Sequence, residues 1–267
     1  MMSIDTHAHV FVRGLHLAAV RRYAPDYDAP LAAYLAQLAR HGMTHGVLVQ
    51  PSFLGTDNRF MLDAIRSSPL PLRGIGVVDP DIPRETLAAM AGEGMAGIRL
   101  NLIGKDIPDF YSGPWPRFLR DLAQLGMQVE IHRAAADLPH IIAPLVAAGV
   151  NVVVDHFGRP DPSLGVRDPG FAYLLSIAAT RKVWVKISAA YRNGDDAVGE
   201  RIARDAIPLL LAAFGAERLL WGSDWPHTQF ETTVDYGTVR ALLDDWIPDV
   251  SVRRTILATT PAELFRF

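Results

Sequence analysis

The sequence predicts an α/β protein folded as a (β/α)8 TIM barrel, a closed ring of eight parallel strands surrounded by helices. Apolar runs typical of strands alternate strictly with segments typical of helices along the 267 residues. Several runs, such as 150–154, are almost continuously apolar, as expected for strands buried on both faces. No G-x-G-x-x-G or Walker A sequence follows a strand, so nothing indicates an open nucleotide-binding sheet.

Composition narrows the class of protein. Hydrophobic residues make up 49% of the chain, charged residues 21%, and the net charge is −3, so we expect neither a nucleic-acid partner nor an anionic membrane. The absence of cysteine excludes disulfides and thiolate metal sites. No apolar run approaches the roughly 20 residues of a membrane span, and no secretion signal is evident. We therefore expect a cytoplasmic protein with a single barrel domain over residues 1–267, and a homo-oligomer is compatible with the sequence.

The elements follow one another in a regular order. Strands are predicted at 4–10, 44–52, 73–79, 96–102, 127–133, 150–157, 183–189 and 218–224. Helices are predicted at 31–41, 58–67, 84–92, 115–125, 137–148, 168–180, 195–214, 234–246 and 251–265. Pro30 suits a first helical turn, Gly42 and Gly126 suit helix ends, and Pro144 is expected to interrupt its helix. The connection 11–30 is unusually long, which often marks a functional loop.

The first strand carries two histidines separated by one residue. Because side chains alternate along a strand, we expect one face to hold Asp5, His7 and His9 and the other to hold Ile4, Thr6, Ala8 and Val10. A His-x-His pair at a strand end can converge on a metal ion or a polarised carbonyl. It can equally be a hydrogen-bonded structural pair, with Asp5 as a structural partner.

Polar residues concentrate at the predicted carboxyl ends of the strands, where TIM barrels have their active sites. Five of the nine histidines fall there, namely His7, His9, His132, His156 and His227. Other polar residues share these ends: Arg99, Asn101, Glu130, Asp155, Lys186, Ser188 and Asp224. A buried histidine cluster completes its hydrogen bonds only when a ligand, a metal or a carboxylate joins it, so we expect the active site here.

This set of residues resembles the amidohydrolase superfamily. The resemblance rests on the pattern of His7-x-His9, His132, His156 and Asp224 over strands 1, 5, 6 and 8. Four local sequences are similar to the branch that contains 2-pyrone-4,6-dicarboxylate lactonase and related lactone hydrolases: Asp5-Thr6-His7-Ala8-His9, Gly97-Ile98-Arg99-Leu100, Asp155-His156-Phe157-Gly158-Arg159-Pro160 and Trp221-Gly222-Ser223-Asp224-Trp225-Pro226-His227. The resemblance covers the whole barrel.

The resemblance leaves the metal content open. Binuclear superfamily members use a carbamylated lysine on strand 4, where this chain has Arg99 and Asn101, so two ions are not expected. Metal-independent pyrone-dicarboxylate lactonases are associated with a residue other than histidine on strand 5, whereas this chain has His132. Three imidazoles with Asp224 could hold one zinc, the predicted ligands being His7, His9, His132 and Asp224. The protein therefore requires either no cofactor or one divalent metal, with zinc the first candidate.

For catalysis, the resemblance implies that Asp224 activates a water molecule as general base and returns the proton to the leaving oxygen. His7, His9 and His156 would polarise the carbonyl, directly or through a metal. His156 could instead be a structural neighbour of Asp224.

Arginine binds carboxylates well because its planar guanidinium offers two parallel donors. The resemblance makes Arg99, Arg159 and Arg192 substrate-carboxylate ligands, together with Arg22 and Tyr23 from the long first loop. Salt bridges at the barrel rim are the alternative for any of these arginines. Ser52 and Tyr191 are further substrate-binding candidates.

The leading functional prediction is hydrolysis of a small anionic lactone, either 2-pyrone-4,6-dicarboxylate-like or muconolactone-like, in aromatic catabolism. A zinc-dependent non-oxidative decarboxylase and a lactone isomerase are the enzymatic alternatives within the superfamily. A non-catalytic binding barrel would carry few titratable groups at its strand ends, and this sequence carries many.

Overall fold

The computed structural model describes residues 2–267, which form one eight-stranded sheet of parallel strands in sequential order. The strands are β1 (Ile4–Ala8), β2 (His45–Val49), β3 (Leu72–Gly76), β4 (Met95–Asn101), β5 (Gln128–His132), β6 (Val152–Val154), β7 (Val183–Lys186) and β8 (Leu219–Leu220). Parallel neighbours joined by helical crossovers are the arrangement of a (β/α)8 barrel, so the predicted fold class is confirmed.

Ten α-helices surround the strands in the described part of the chain. They are α1 (Leu31–Arg40), α2 (Arg59–Ser67), α3 (Arg84–Gly92), α4 (Trp115–Leu125), α5 (Leu138–Ala147), α6 (Pro169–Ser176), α7 (Asp196–Phe214), α8 (Tyr236–Trp246), α9 (Val250–Arg254) and α10 (Thr260–Phe265). None of the helices within residues 2–267 is long and apolar enough to cross a membrane.

The barrel closes where the chain after β8 meets β1. The amide of Thr6 donates to the Trp221 carbonyl at 3.1 Å, and the amide of Asp224 donates to the His7 carbonyl at 2.7 Å. Gly222 makes this approach possible, since a Cβ there would lie only 2.5 Å from Cβ of His7. This seam between β1 and the chain after β8 therefore places Asp224 beside His7 and His9, from which it is far removed in sequence.

The barrel interior has an apolar lower part and a polar upper part. Aliphatic and aromatic side chains fill the amino-terminal end, and the cluster includes Ile4, Val47, Val49, Ile75, Val153, Trp184 and Leu220. Leu264 and Phe265 of α10 close this end, and burying each contributes about 1.5–3 kcal/mol. Polar side chains occupy the carboxyl-terminal end. The polar site therefore lies directly above a packed layer of apolar side chains in the barrel interior.

The alternation predicted for β1 is wrong at its start. Ile4 packs with the interior cluster, whereas Ala8 and Val10 pack in the outer core under the helices. The pairing of β1 with β2 shifts register between Asp5 and Ala8, which is the signature of a bulge. Asp5 consequently lies beside α8, where the Tyr236 hydroxyl donates to its Oδ2 at 3.1 Å.

Several element boundaries also differ from the prediction. The strands end earlier at their carboxyl ends, most clearly β8, which ends at Leu220 instead of residue 224. The polar residues that follow these shorter strands lie beyond their carboxyl ends, and their side chains form the site. Helix α5 continues through Pro144, whose ring is buried, so the predicted interruption does not occur. The predicted closing helix is divided into α9, a π-helical turn over Thr255–Thr259 and α10.

Candidate active site

A polar cavity of about 200 Å³ opens at the carboxyl ends of the strands. Its walls come from β4 and β5, from the chain that follows β1, β6, β7 and β8, and from the long first loop. The lining residues are His9, Arg22, Tyr23, Arg99, Asn101, His132, His156, Arg159, Arg192, Asp224, Thr228, Gln229 and Phe230. Four guanidinium groups and one carboxylate are among them, so the cavity has an excess of positive charge and favours an anionic ligand.

At the base of the cavity, two imidazoles and a carboxylate converge. Oδ1 of Asp224 lies 3.6 Å from Nε2 of His9 and 3.7 Å from Nε2 of His7. The His7 and His9 rings are 5.0 Å apart between centroids, edge to face. We call the three atoms Nε2 of His7, Nε2 of His9 and Oδ1 of Asp224 the polar triangle. Its sides are too long for direct hydrogen bonds, but a single oxygen atom among the three could contact all of them.

The other oxygen of Asp224 is fully engaged. The Tyr191 hydroxyl donates to Oδ2 at 2.6 Å and Nε of Arg192 donates to it at 2.5 Å. Burial by itself would raise the pKa of Asp224, but the opposing effects, of which the Arg192 charge is the largest, outweigh burial and hold that pKa well below its usual range. Asp224 is therefore ionised at neutral pH, with Oδ1 directed into the triangle.

The tautomer of His9 follows from its second nitrogen. Nδ1 lies 2.7 Å from the carbonyl oxygen of Val49, which can only accept, so Nδ1 carries the proton. In the neutral ring, Nε2 then presents a lone pair to the triangle.

Beneath the triangle lies a buried ionic network that joins β4, β5, β6 and β7. Nζ of Lys186 is 2.6 Å from Oε2 of Glu130, 2.9 Å from Nδ1 of His7 and 3.5 Å from Oδ1 of Asp155. The Arg99 guanidinium contacts Oδ2 of Asp155 through Nε and Nη2, each at 2.9 Å. All five side chains are almost completely buried, with Arg99 the most exposed at 5%.

Burial governs the pKa values in this network. Burial lowers the pKa of His7 well below its usual value, and the Lys186 charge acts in the same direction. Burial also raises the pKa of Glu130, against the opposing effect of Lys186. His7 is therefore neutral at physiological pH.

His156 lies at the cavity wall, and its Nδ1 contacts the Ser188 hydroxyl at 2.9 Å. Burial lowers its pKa to about 3, so the ring is neutral. The backbone from His156 to Arg159 is left-handed at four consecutive residues, with φ values of 51°, 60°, 78° and 51°. Non-glycine residues in this region each cost about 1–3 kcal/mol, and such strain is concentrated at functional sites.

His132 and Arg159 contact each other across the cavity, with Nη1 of Arg159 3.4 Å from Nε2 of His132. A guanidinium can only donate, so Nε2 of His132 accepts. Arg22 and Arg159 form no ion pair with any described side chain, whereas Arg99 and Arg192 are paired with Asp155 and Asp224. Burial lowers the pKa of Arg159 to about 10, assisted by Arg192 and Arg22, and Arg159 stays charged at neutral pH.

A family model described as Amidohydro_2, an amidohydrolase, matches residues 4–267. The chain belongs to the amidohydrolase family. A 2-pyrone-4,6-dicarboxylate hydrolase of Comamonas testosteroni is 32% identical over 98% of this amidohydrolase and 90% of the relative. A 4-sulfomuconolactone hydrolase of Rhizobium radiobacter is 32% identical over 98% and 89% of the two chains.

A solved structure agrees closely with the fold. The crystal structure of a probable 2-pyrone-4,6-dicarboxylic acid hydrolase from Acinetobacter baumannii, with citric acid bound, covers 100% of both chains with 40% identity and a TM-score of 0.97. The branch indicated by the sequence motifs is therefore confirmed.

Amidohydrolases often bind a metal ion, and two groups of side chains in this one could hold one by position. One group is His7, Asp155 and His156, and the other is His7, His9 and Asp224, with ligand atoms within 4.8 Å of one another. His132 belongs to neither group. Of the predicted ligands His7, His9, His132 and Asp224, three therefore form one group, while Nε2 of His132 lies 3.4 Å from Nη1 of Arg159.

The structure brings most of the predicted substrate-binding residues together. Arg22, Tyr23, Arg99, Arg159 and Arg192 line the cavity. Two predicted residues do not. Ser52 begins a short helical turn outside the lining, and the Tyr191 hydroxyl contacts Asp224 and His227 instead of the cavity. The Tyr191 hydroxyl is therefore connected to the cavity through Asp224. His7 also lies beneath the lining and reaches the site through the triangle alone.

Some site residues had no role in the sequence-based prediction. Glu130, Asp155 and Lys186 form the network, and Thr228, Gln229 and Phe230 form one wall of the cavity. A charged residue at the end of the buried strand Val183–Lys186 was the available signal for the network. No comparable signal marked the wall, since it depends on how the chain after β8 folds back.

Proposed function

We propose that this protein hydrolyses a small anionic lactone, with a ring that carries two carboxylates as the preferred class. The observation that carries the proposal is a strongly cationic cavity placed directly above a triangle suited to hold a water molecule. Hydrolysis of an anionic lactone is the activity named for the curated relatives at about 30% identity.

The arginines of the cavity favour an anionic substrate. Of the four arginines that line the cavity, Arg22 and Arg159 have no carboxylate partner among the described side chains, and each could bind one carboxylate of the ligand. A charge-assisted hydrogen bond contributes about 1.5–3 kcal/mol. The structural relative at 40% identity contains citric acid, a tricarboxylic acid, which is compatible with a polyanion site in this branch.

The polar triangle offers a position for the water molecule that attacks the substrate. A water molecule there would donate to Oδ1 of Asp224 and to Nε2 of His9, and would accept from His7 if its Nε2 carries the proton. Its second lone pair would remain free to attack the lactone carbonyl carbon. His156 stands beside this position and, together with the cavity arginines, could stabilise the oxyanion that forms.

In this proposal, Asp224 is the general base. As the water oxygen bonds to the carbonyl carbon, Oδ1 accepts one water proton, and collapse of the tetrahedral intermediate breaks the bond to the ring oxygen. Asp224 then returns the proton to that oxygen. Tyr191 and Arg192 hold Oδ2, so Oδ1 is the only oxygen of Asp224 left to act as base.

The hydrogen bonding does not fit a metal ion. A metal in the triangle needs a lone pair on Nε2 of His7, but the ammonium of Lys186 already occupies Nδ1 of that ring and directs the proton to Nε2. The group with Asp155 contains the same ammonium, 3.5 Å from Oδ1 of Asp155. We therefore propose that the reaction uses hydrogen bonds alone and does not need the predicted zinc.

A lactone panel tests this function. 2-Pyrone-4,6-dicarboxylate, a muconolactone and an uncharged 2-pyrone are offered to the protein in H₂¹⁸O, with and without added zinc. We expect acid release from the charged lactones, one ¹⁸O in the new carboxylate, and no stimulation by zinc. Release of CO₂ would identify the decarboxylase alternative, and a ring-shifted product without ¹⁸O would identify the isomerase. Binding without turnover would leave the binding-barrel alternative.

The cytoplasmic location, the homo-oligomer and the extent of the single domain stay predictions from the sequence.

A further inference from the structure

The most unusual group outside the cavity lining is Lys186, a lysine with no exposed surface in the barrel interior. Lysine is seldom buried in this way without a role, because removing its charge from water is costly. Lys186 is fully buried and is not among the residues that line the cavity, so we expect it to act on a ligand there only through His7. Its contacts are with His7 and two carboxylates.

We infer that Lys186 is a positioning residue that fixes His7 as the Nε2-protonated tautomer and thereby makes the polar triangle a site for water instead of a metal site. The inference rests on the proposed function for its effect on turnover. The tautomer itself is independent of any substrate.

The side chain of Lys186 lies between two acidic side chains. Nζ lies 2.6 Å from a carboxylate oxygen of Glu130 and 3.5 Å from one of Asp155. These two acidic side chains are partners for two of the three N–H groups of the lysine ammonium, and the third is directed to His7. An ammonium has three donors and no lone pair, so it can only donate to Nδ1 of His7 at 2.9 Å.

The contact with Lys186 determines which ring nitrogen of His7 carries the proton. A neutral imidazole has one N–H, and Nδ1 accepts, so the proton is on Nε2. Nε2 faces the triangle, 3.7 Å from Oδ1 of Asp224. His9 has the opposite tautomer, because its Nδ1 donates to the Val49 carbonyl.

The triangle therefore contains one donor, on His7, and two acceptors, on His9 and Asp224. This is the complement of a water molecule that donates twice and accepts once. It is a poor complement for a metal ion, which requires a lone pair from every ligand. Without Lys186, Nδ1 of His7 could donate to Oδ1 of Asp155 at 3.5 Å, and Nε2 would then present a lone pair.

The decisive measurement is a long-range ¹⁵N–¹H NMR spectrum of the protein labelled with [¹⁵N]histidine, with His7 assigned by its absence in His7→Gln. We expect Nε2 of His7 to show the shift of a protonated nitrogen and Nδ1 that of an unprotonated one. In Lys186→Met the two should exchange. A wild-type spectrum with the proton on Nδ1 overturns the inference, and this result needs no variant of Lys186 to fold.

Kinetics separate positioning from a merely structural role. Lys186→Met should lower kcat on the best lactone of the panel about 10²–10³-fold, the usual cost of one preorganised donor, with KM within about twofold. Lys186→Gln, whose amide can still donate to Nδ1, should recover about tenfold of this loss. Lys182→Met, at an exposed lysine before the same strand, is the matched control. Equal losses in the Met and Gln variants contradict the inference.

Zinc binding gives a readout that does not depend on activity. After dialysis against zinc, the wild type should retain far less than one ion per chain, and Lys186→Met should retain more. The inference is overturned if the wild type retains one zinc per chain and His7→Gln does not. If the panel shows no hydrolysis but the NMR shows the Nε2 proton, the proposed function fails and the tautomer assignment stands.

Discussion

Nε of Arg192 lies 2.5 Å from Oδ2 of Asp224, and this buried ion pair joins the turn after β7 to the chain after β8. The pair keeps Asp224 ionised and leaves only Oδ1 facing the His7 and His9 rings. A buried pair of this kind contributes little to stability by itself, because both charges lose their hydration. Its main effect is therefore on the charge and orientation of Asp224.

Replacing Asp224 by asparagine should remove the general base. We expect Asp224→Asn to lower kcat about 10²–10⁴-fold, the usual range for general acid–base catalysis, while KM changes little because the arginines bind the substrate. Steady-state kinetics on a charged lactone measure both. Asp205→Asn, at an exposed position of α7, is the control. Full turnover in Asp224→Asn would show that the base is elsewhere.

Replacing Arg192 by methionine should change the pH dependence. In the wild type the pKa of Asp224 lies well below its usual range, so kcat/KM should not lose this base on acidification until well below pH 4. Without Arg192, burial acts with less opposition and the pKa rises, so the acid limb should move to higher pH. The pH profiles of the two proteins provide the measurement. An unmoved acid limb would contradict this account of Asp224.

Replacing Arg159 by methionine should weaken binding of charged substrates. Because Arg159 has no ion-pair partner among the described side chains, its guanidinium is available to the ligand. Loss of one charge-assisted hydrogen bond should raise KM about 10–100-fold for a dicarboxylate, with little effect on an uncharged lactone. Arg120→Met on exposed α4 is the control. An equal effect on charged and uncharged lactones would contradict the carboxylate-binding role.

His227 should make the folded protein sensitive to acid. Burial lowers its pKa to about 4, so between about pH 6.5 and pH 4 the unfolded chain binds a proton that the folded protein does not. The free energy of unfolding therefore falls with decreasing pH across this window, by about 1.4 kcal/mol per pH unit for this group. His227→Gln should show a shallower fall in urea titrations, and His140→Gln, on an exposed position of α5, should not.

Gly222 should be required for barrel closure. A Cβ at this position would lie 2.5 Å from Cβ of His7 and 2.7 Å from its backbone nitrogen, so Gly222→Ala must push the seam apart. We expect a loss of about 1–3 kcal/mol in the free energy of unfolding and reduced turnover through the displaced Asp224. Gly92→Ala, in α3 with open space around it, should be neutral or slightly stabilising. Chemical denaturation compares the two variants.

The closed barrel and its branch of the amidohydrolase family were predictable because both depend on local patterns. Apolar runs such as that of β6 specify buried parallel strands without reference to distant residues. The motif from Trp221 to His227 and the His7-x-His9 pair similarly identify the family from a few adjacent residues. The mouth of the barrel was predictable as the site because chain order fixes which strand ends lie there.

The errors occur where a distant contact overrides local alternation. The bulge in β1 turns Asp5 toward Tyr236, more than 200 residues away in the chain, and the strict period of two fails there. The roles predicted for Tyr191 and His132 stay predictions. In the structure the Tyr191 hydroxyl donates to Asp224, and Nε2 of His132 contacts Arg159.

Local sequence patterns specify the order of the strands and therefore which strand ends lie at the mouth of the barrel. The wall formed by the chain after β8, and the role of each side chain at the mouth, depend on contacts between distant residues. The proton position on His7 depends on Lys186, and the reactive oxygen of Asp224 depends on Arg192 and Tyr191. These relationships join residues between 32 and 179 positions apart, and hydrogen-bond direction over such separations exists only once the ring of strands has closed.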